Sequence, residues 1–381
     1  MGIYKEEHDI FRVTVKKFIE KEVIPNIDEW EEKGEVPRSL WKKCGEMGFL
    51  GMCLDEKYGG LEVGFEYTAV LVEEFGKVNA CMPVIGSGDV LAPYINDFGT
   101  EELKMRYLPG FTKGNLIPAI AMTEPNTGSD LKGVRTSAVS DGDDYIINGQ
   151  KTFITSGDTC DMMIVVCKTN PESNSLSNAF SLIIVDDGTP GFIKGRKLNK
   201  MGIHMQDTSE IFFEDCRVPK ANLIGEEGKG FRYLMAELQK ERLIIVMWGQ
   251  AIAEAMLQMG IDYAKSRDAF GQPIATFQHN AFKIADMATQ VQLGRSLVNE
   301  LIIDFIAGKD IVVKVSMAKL YVAEMANDVA AKSFQLHGGY GFMEEYPIAR
   351  YYRDIRVQTV YAGSSEIMRL VIARSLGIEP T

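Results

Sequence analysis

The sequence predicts an α+β multidomain protein: an N-terminal helical domain over 1–118, a middle β-barrel-like domain over 119–229 and a C-terminal four-helix bundle over 230–381. A chain of 381 residues is long for one core, so two or three domains are expected. Near Leu116 a helical texture gives way to β-branched runs broken by turn residues, and after Gly230 a 3.6-residue apolar period returns and persists. Such segregated runs of helix and strand imply separate domains.

In order along the chain, Phe11, Val15, Phe18 and Ile19 share one helical face, with an exit at Pro25. Pro37-Arg-Ser-Leu-Trp41 opens a second helix, interrupted by Gly48 and Gly51. Glu66–Val78 is a third, and Asp89–Asp97 and Glu101–Tyr107 read as shorter ones. In the middle region Asn148-Gly149 stands between two strand-like runs, a hairpin signal. Met162–Lys168, Phe180–Val185 and Glu210–Phe213 read as further strands. Phe231–Arg267, Phe277–Ala307 and Ile311–Leu336 are long helices with broad apolar stripes, suited to an antiparallel bundle.

A net charge of −12 speaks against a protein that grips nucleic-acid phosphates. The six cysteines form no CxxC pair, which favours reduced, mostly buried thiols, and the four histidines show no metal-ligand spacing. The start, Met-Gly-Ile-Tyr-Lys-Glu-Glu-His8, is polar, and Glu6 stands where a myristoylation signal needs Ser or Thr. No run is expected to reach the apolar length of a membrane span, so a cytoplasmic protein is expected.

Several segments can carry chemistry. Ala121-Met-Thr-Glu-Pro-Asn-Thr-Gly-Ser-Asp-Leu131 offers hydroxyls and free backbone donors to a planar heterocycle or a pyrophosphate, although a satisfied turn uses the same residues. Lys151-Thr-Phe-Ile-Thr-Ser-Gly157 and Arg267-Asp-Ala-Phe-Gly-Gln-Pro273 share that ambiguity, since Arg267 suits either a diphosphate or a helix C-terminus. Gln335-Leu-His-Gly-Gly-Tyr-Gly341 is either a glycine C-cap or a place of close approach to a cofactor.

Together and in this order, from Phe11 to Arg374, these segments resemble the acyl-CoA dehydrogenase family. The resemblance implies FAD, an acyl-CoA substrate, a homotetramer or sometimes a dimer, and reoxidation by electron-transferring flavoprotein. It places Met122, Thr123, Phe153 and Thr155 against the isoalloxazine ring and Ser129 near the CoA and flavin phosphates. It assigns Arg267, Phe270, Gln278, Gln335, Gly338 and Gly339 to the FAD of a neighbouring subunit. Ser364 and Glu366 correspond to a flavin adenosine and phosphate contact, and Arg242 to a residue beside the thioester. Tyr361 and Tyr340 are expected as pocket walls, and Gly363 where the loop passes close to the flavin.

Many members of that family carry the catalytic glutamate in a Tyr-Glu-Gly-Thr loop. Here the corresponding stretch is Tyr361-Ala-Gly-Ser364, and Ala362 cannot act as a base. A minority, including isovaleryl and long-chain enzymes, take it from a helix, and Glu241 stands in that place. The resemblance therefore implies that Glu241 removes the α-proton while flavin N5 takes the β-hydride. Asp89, in Gly86-Ser-Gly-Asp-Val-Leu-Ala-Pro93, is a weaker candidate near the acyl chain, with a helix N-cap or a solvated charge as the plain alternative. Val84, Ile85, Leu91 and Ala92 suggest an apolar acyl lining without an arginine for a second carboxylate, leaving short branched, cyclic and medium straight chains open. Rival readings are an oxygen-using acyl-CoA oxidase, a nitroalkane-oxidising relative (which has Asp where Glu241 stands) and a non-catalytic flavoprotein of the same fold.

Overall fold

The computed structural model describes residues 3–170 and 178–379; Met1 and Gly2, on which the expectation about N-terminal processing partly rests, lie outside this range. Helices α1 (Glu6–Phe18), α2 (Ile27–Lys33), α3 (Arg38–Glu46), α4 (Phe65–Val78), α5 (Met82–Val90), α6 (Ala92–Phe98) and α7 (Glu101–Thr112) come first. Strands β1 (Pro118–Ala121), β2 (Ser137–Asp141), β3 (Asp144–Thr155), β4 (Met162–Lys168), β5 (Phe180–Asp186), β6 (Phe192–Lys197), β7 (Thr208–Pro219) and β8 (Leu223–Ile224) follow. The chain closes with α8 (Gly230–Ser266), the short pair β9 (Asp268–Ala269) and β10 (Gln272–Pro273), then α9 (Gln278–Ile306), α10 (Val312–His337), α11 (Pro347–Ile355) and α12 (Ser365–Ser375).

Pro25 does not end the first helical run. A π-turn over Ile19–Val23 and a 3₁₀ turn over Ile24–Asn26 absorb its missing N–H, and α2 continues beyond it. The single helix expected over Asp89–Asp97 is instead two, α5 and α6, each with a proline in its first turn and a break at Leu91. Asp89 thus sits in the last turn of α5.

The middle domain is one mixed sheet ordered β6-β7-β3-β2-β4-β5-β8, with β1 parallel to β4; this pairing does not close into a ring. The expected hairpin at Asn148-Gly149 is absent, because β3 runs unbroken through it. The turn lies earlier, where Asp141 faces Asp144 across Gly142-Asp143. Asn148 spends its amide on the next strand, accepting from the Asp215 N–H at 2.8 Å, at a register shift between β3 and β7. Gly149 is fixed by crowding: a Cβ there would lie 2.7 Å from the Thr136 Cα.

Behind β3 a buried ion pair holds the loop that follows β1. Lys151 Nζ lies 2.9 Å from Glu124 Oε1 and donates to the carbonyls of Val166 (2.7 Å) and Met122 (3.2 Å). Glu124 also accepts from the Arg135 and Thr136 N–H groups at 2.7 and 3.0 Å. Removing the ammonium alone strands a buried carboxylate, so Lys151→Met is expected to cost about 3–5 kcal/mol. Urea unfolding measures this, and an unchanged midpoint would show the pair to be idle.

Helix α8 is the spine of the molecule. Contrary to the expectation that no run reaches the apolar length of a membrane span, it contains an 18-residue window of mean hydropathy 1.4. Of that window 72% is buried among α4, α5, α9 and α10, which accounts for a helix apolar on most sides. Asp354 on α11 ties the three regions together, accepting from Asn79 Nδ2 (2.8 Å) and from the Ile203 N–H (2.5 Å). Five of the six cysteines are buried, and Cys53 is partly exposed.

Candidate active site

Two groups of sequence-nominated residues converge on the junction of the three regions. The first lies on the middle domain. The Thr152 N–H donates to the Thr123 carbonyl at 2.9 Å, which sets Met122 and Thr123 beside the end of β3. A bulge between Lys151 and Ile154 turns Phe153 outward at φ +59°, leaving a large apolar ring 67% exposed. A bulky residue held in the left-handed region is strained, and such strain concentrates at ligand sites. Thr155 accepts from Gln206 Nε2 at 2.9 Å. Ser129 is exposed on the loop before the 3₁₀ turn Leu131–Gly133.

The second group lies on α8 and the loop before α12. Arg242 Nε reaches the Ala362 carbonyl at 3.4 Å, so the turn of α8 that carries Glu241 packs against Tyr361-Ala-Gly363. Ala362 has φ +50°, and among the described residues no backbone carbonyl accepts its N–H. Gly363 is needed for φ +92° and because a Cβ would lie 2.6 Å from Met368 Cε.

Glu241 keeps some accessible surface, yet protein surrounds it, and desolvation raises its carboxyl to about 7 against a small opposing pull from Arg242. Burial and then the Glu241 charge push the Tyr361 phenol upward. Tyr94, fully buried, is raised by burial first and by Glu241 and Glu237 after it, and its hydroxyl has no hydrogen-bond partner. Tyr361 and Gln206 line one small cavity together with Trp248, Met205 and Asp354, joining the two groups.

Lys319 escaped the sequence reading. It is 1% exposed on α10, and its Nζ donates to the carbonyls of Gln358 (2.6 Å) and Gly363 (2.7 Å). Burial and the neighbouring Arg242 lower its pKa to about 8. Its sequence context, Met317-Ala-Lys-Leu-Tyr321, held the only available signal: a lone cation inside an apolar run.

The remaining nominees sit elsewhere. Ser364 is the N-cap of α12, accepting from the Ile367 N–H at 3.4 Å, and Glu366 is exposed in the first turn. Phe270 occupies the turn between β9 and β10 at φ +54° and is 96% exposed. Arg267 lies 5.8 Å over the Tyr340 ring, which places that turn beside Gly338 and Gly339; these glycines, Gln335 and Gln278 are also exposed. This second surface belongs to the outer end of the bundle. Asp89 is neither an N-cap nor solvated: Oδ1 pairs with Lys240 Nζ at 2.6 Å, and Oδ2 accepts from Thr68 at 2.7 Å.

Family models for the acyl-CoA dehydrogenase N-terminal, middle and C-terminal domains match residues 5–115, 119–216 and 228–377. The chain is 45% identical to the mitochondrial long-chain specific acyl-CoA dehydrogenase of Sus scrofa, over 98% of this chain and 87% of that protein. It is 38% identical to the caffeyl-CoA reductase-Etf complex subunit CarC of Acetobacterium woodii, over 98% and 99% of the respective chains. A crystal structure of acyl-CoA dehydrogenase from Geobacillus kaustophilus superposes with a TM-score of 0.98 at 51% identity, covering 99% of this chain and 100% of the other. A glutaryl-CoA dehydrogenase from Mycobacterium smegmatis in complex with FADH2 superposes at 0.89 with 27% identity, covering 98% and 95%.

Proposed function

The chain belongs to the acyl-CoA dehydrogenase family, and from that premise we propose that Glu241 is the base that removes the α-proton of an acyl-CoA thioester, leaving a trans α,β double bond. The observation carrying this reading is a buried carboxylate with raised pKa, packed against a loop whose residue 362 is alanine. FAD, when bound, supplies the acceptor for the β-hydrogen and its electron pair. The exposed Phe153 ring, Met122 beside it and the hydroxyls of Thr123, Thr155 and Ser129 fit a planar ring with a polar edge and a phosphate tail.

The residues of the chain then divide the work. The free N–H of Ala362 is available to the thioester carbonyl, where a donor acidifies the α-carbon. Arg242 and Lys319 hold the loop that presents it. The protein around Glu241 limits its access to water and brings its basicity toward neutral pH, where proton transfer is most efficient. A carboxylate near 7 must be ionised to act, so kcat/KM is expected to be half-maximal near pH 7 and to fall about tenfold per unit below it. Anaerobic flavin bleaching from pH 5 to 9 checks this, and a flat profile would remove the carboxylate from the rate law.

The exposed Arg267, Phe270, Gln278, Gln335, Gly338 and Gly339 suit a cofactor reached from a second subunit, hence a homo-oligomer, a tetramer or a dimer. Electron-transferring flavoprotein is the proposed acceptor, as the Etf-complex subunit among the relatives suggests. A short branched, cyclic or medium acyl group is proposed over a dicarboxylate, since the sequence around Val84, Ile85, Leu91 and Ala92 has no arginine to meet a second carboxylate. The deciding experiment is anaerobic bleaching with an acyl-CoA panel, followed by reoxidation with air or with electron-transferring flavoprotein. Fast reoxidation by air would favour an oxidase.

A further inference from the structure

One turn before Glu241 on α8, Glu237 reaches a cleft with a charged wall. Val84, Ile85 and Ala92 are buried. The cleft, of about 420 Å³, is lined by Asp89, Asp97, Glu237, Lys240 and Lys309, with Leu54 and Phe305 on its apolar side. Glu237 is one turn before Glu241 on α8, so the two lie on one face with Cβ atoms about 6 Å apart. Tyr94 stands within electrostatic reach of both carboxylates, its buried hydroxyl unpartnered. Base and cleft therefore share α8, one turn apart.

The cleft wall is built rather than incidental. Asp89 and Lys240 pair at 2.6 Å with side chains only 8% and 17% exposed, and Thr68 braces the carboxylate at 2.7 Å. Lys240 adjoins Glu241 in the chain, so the wall and the base are rigidly linked on one helix. An alkyl tail pressed against this wall strips water from charged groups and returns no hydrogen bond. A second carboxylate meets three acidic residues, and both ammonium groups of the cleft are already paired, Lys240 with Asp89 and Lys309 with Asp304. A neutral hydroxyl or carbonyl oxygen replaces the displaced water.

Resting on the dehydrogenase reading, we propose that the Asp89–Lys240 wall selects acyl-CoA thioesters whose far end carries a neutral hydrogen-bonding group over plain alkyl chains of equal length. Sites built to bond a substrate hydroxyl discriminate strongly against analogues lacking it. The test compares matched pairs of ω-hydroxyacyl-CoA and plain acyl-CoA, from about six to twelve carbons, by anaerobic bleaching of the holoenzyme. The hydroxylated member is expected to be favoured about tenfold or more in kcat/KM at one or more lengths. The double substitution Asp89→Leu with Lys240→Met, which leaves no orphan charge, is expected to reverse that preference. Plain chains used as well as hydroxylated ones at every length by the unaltered enzyme overturn the proposal, whatever the variant does. If no thioester bleaches the flavin, it is the dehydrogenase reading that fails.

Discussion

Glu241→Gln is expected to slow α-proton removal by about 10²–10⁴-fold, with the flavin still bound and its spectrum unchanged. The amide keeps the size and hydrogen-bonding shape of the side chain but cannot take a proton. Stability is expected to move the other way. Burial raises the folded carboxyl from 4.5 to about 7, so the neutral form is the one the fold prefers. The stabilisation this gives is complete below about pH 4.5 and is lost as pH rises through 7. At pH 8 the unaltered protein carries a buried charge that the amide variant lacks, and the variant is expected to be the more stable by about 1–3 kcal/mol. Stopped-flow bleaching and urea unfolding at pH 5 and 8 read the two effects. Undiminished turnover would falsify the assignment, whereas lost turnover with lowered stability would point to damage to the fold.

The second large effect is expected at Lys319. Lys319→Met keeps the length and apolar stem but orphans the Gln358 and Gly363 carbonyls, at about 1–3 kcal/mol for each buried group left unpaired. The loop between them carries Tyr361 and Ala362, so the variant is expected to lose at least about tenfold in kcat beyond what its stability explains, because small misplacements at a reacting centre are costly. Measured well below the melting temperature at saturating thioester, an unchanged kcat with reduced stability would make Lys319 a structural anchor only.

The three-part order of helix, sheet and bundle is legible in the sequence because long periodic runs dominate it, as in α8, α9 and α10. Local ambiguities are not. Asn148-Gly149 has the residues of a tight turn, yet strand β7 claims the asparagine amide and Thr136 crowds the glycine, so tertiary packing decides. Helix α5 begins earlier than the expected helix, at Met82, with Pro83 in the first turn where its missing N–H leaves no bond unmade. At the site, Glu241 is nominated because Ala362 is the wrong residue for the work. Lys319, Lys240 and Tyr94 are not nominated, since their partners lie on other elements and no local pattern marks a long-range contact. Asp89 reads as a cap or a solvated charge for the same reason: Lys240, which neutralises it, is a distant part of the chain.

Asp354 has a consequence for how substrate gets in. From α11 one carboxylate bonds both Asn79 and the Ile203 N–H, so a jaw-like parting of the three lobes breaks these two bonds. Entry past side chains that swing aside leaves both bonds intact.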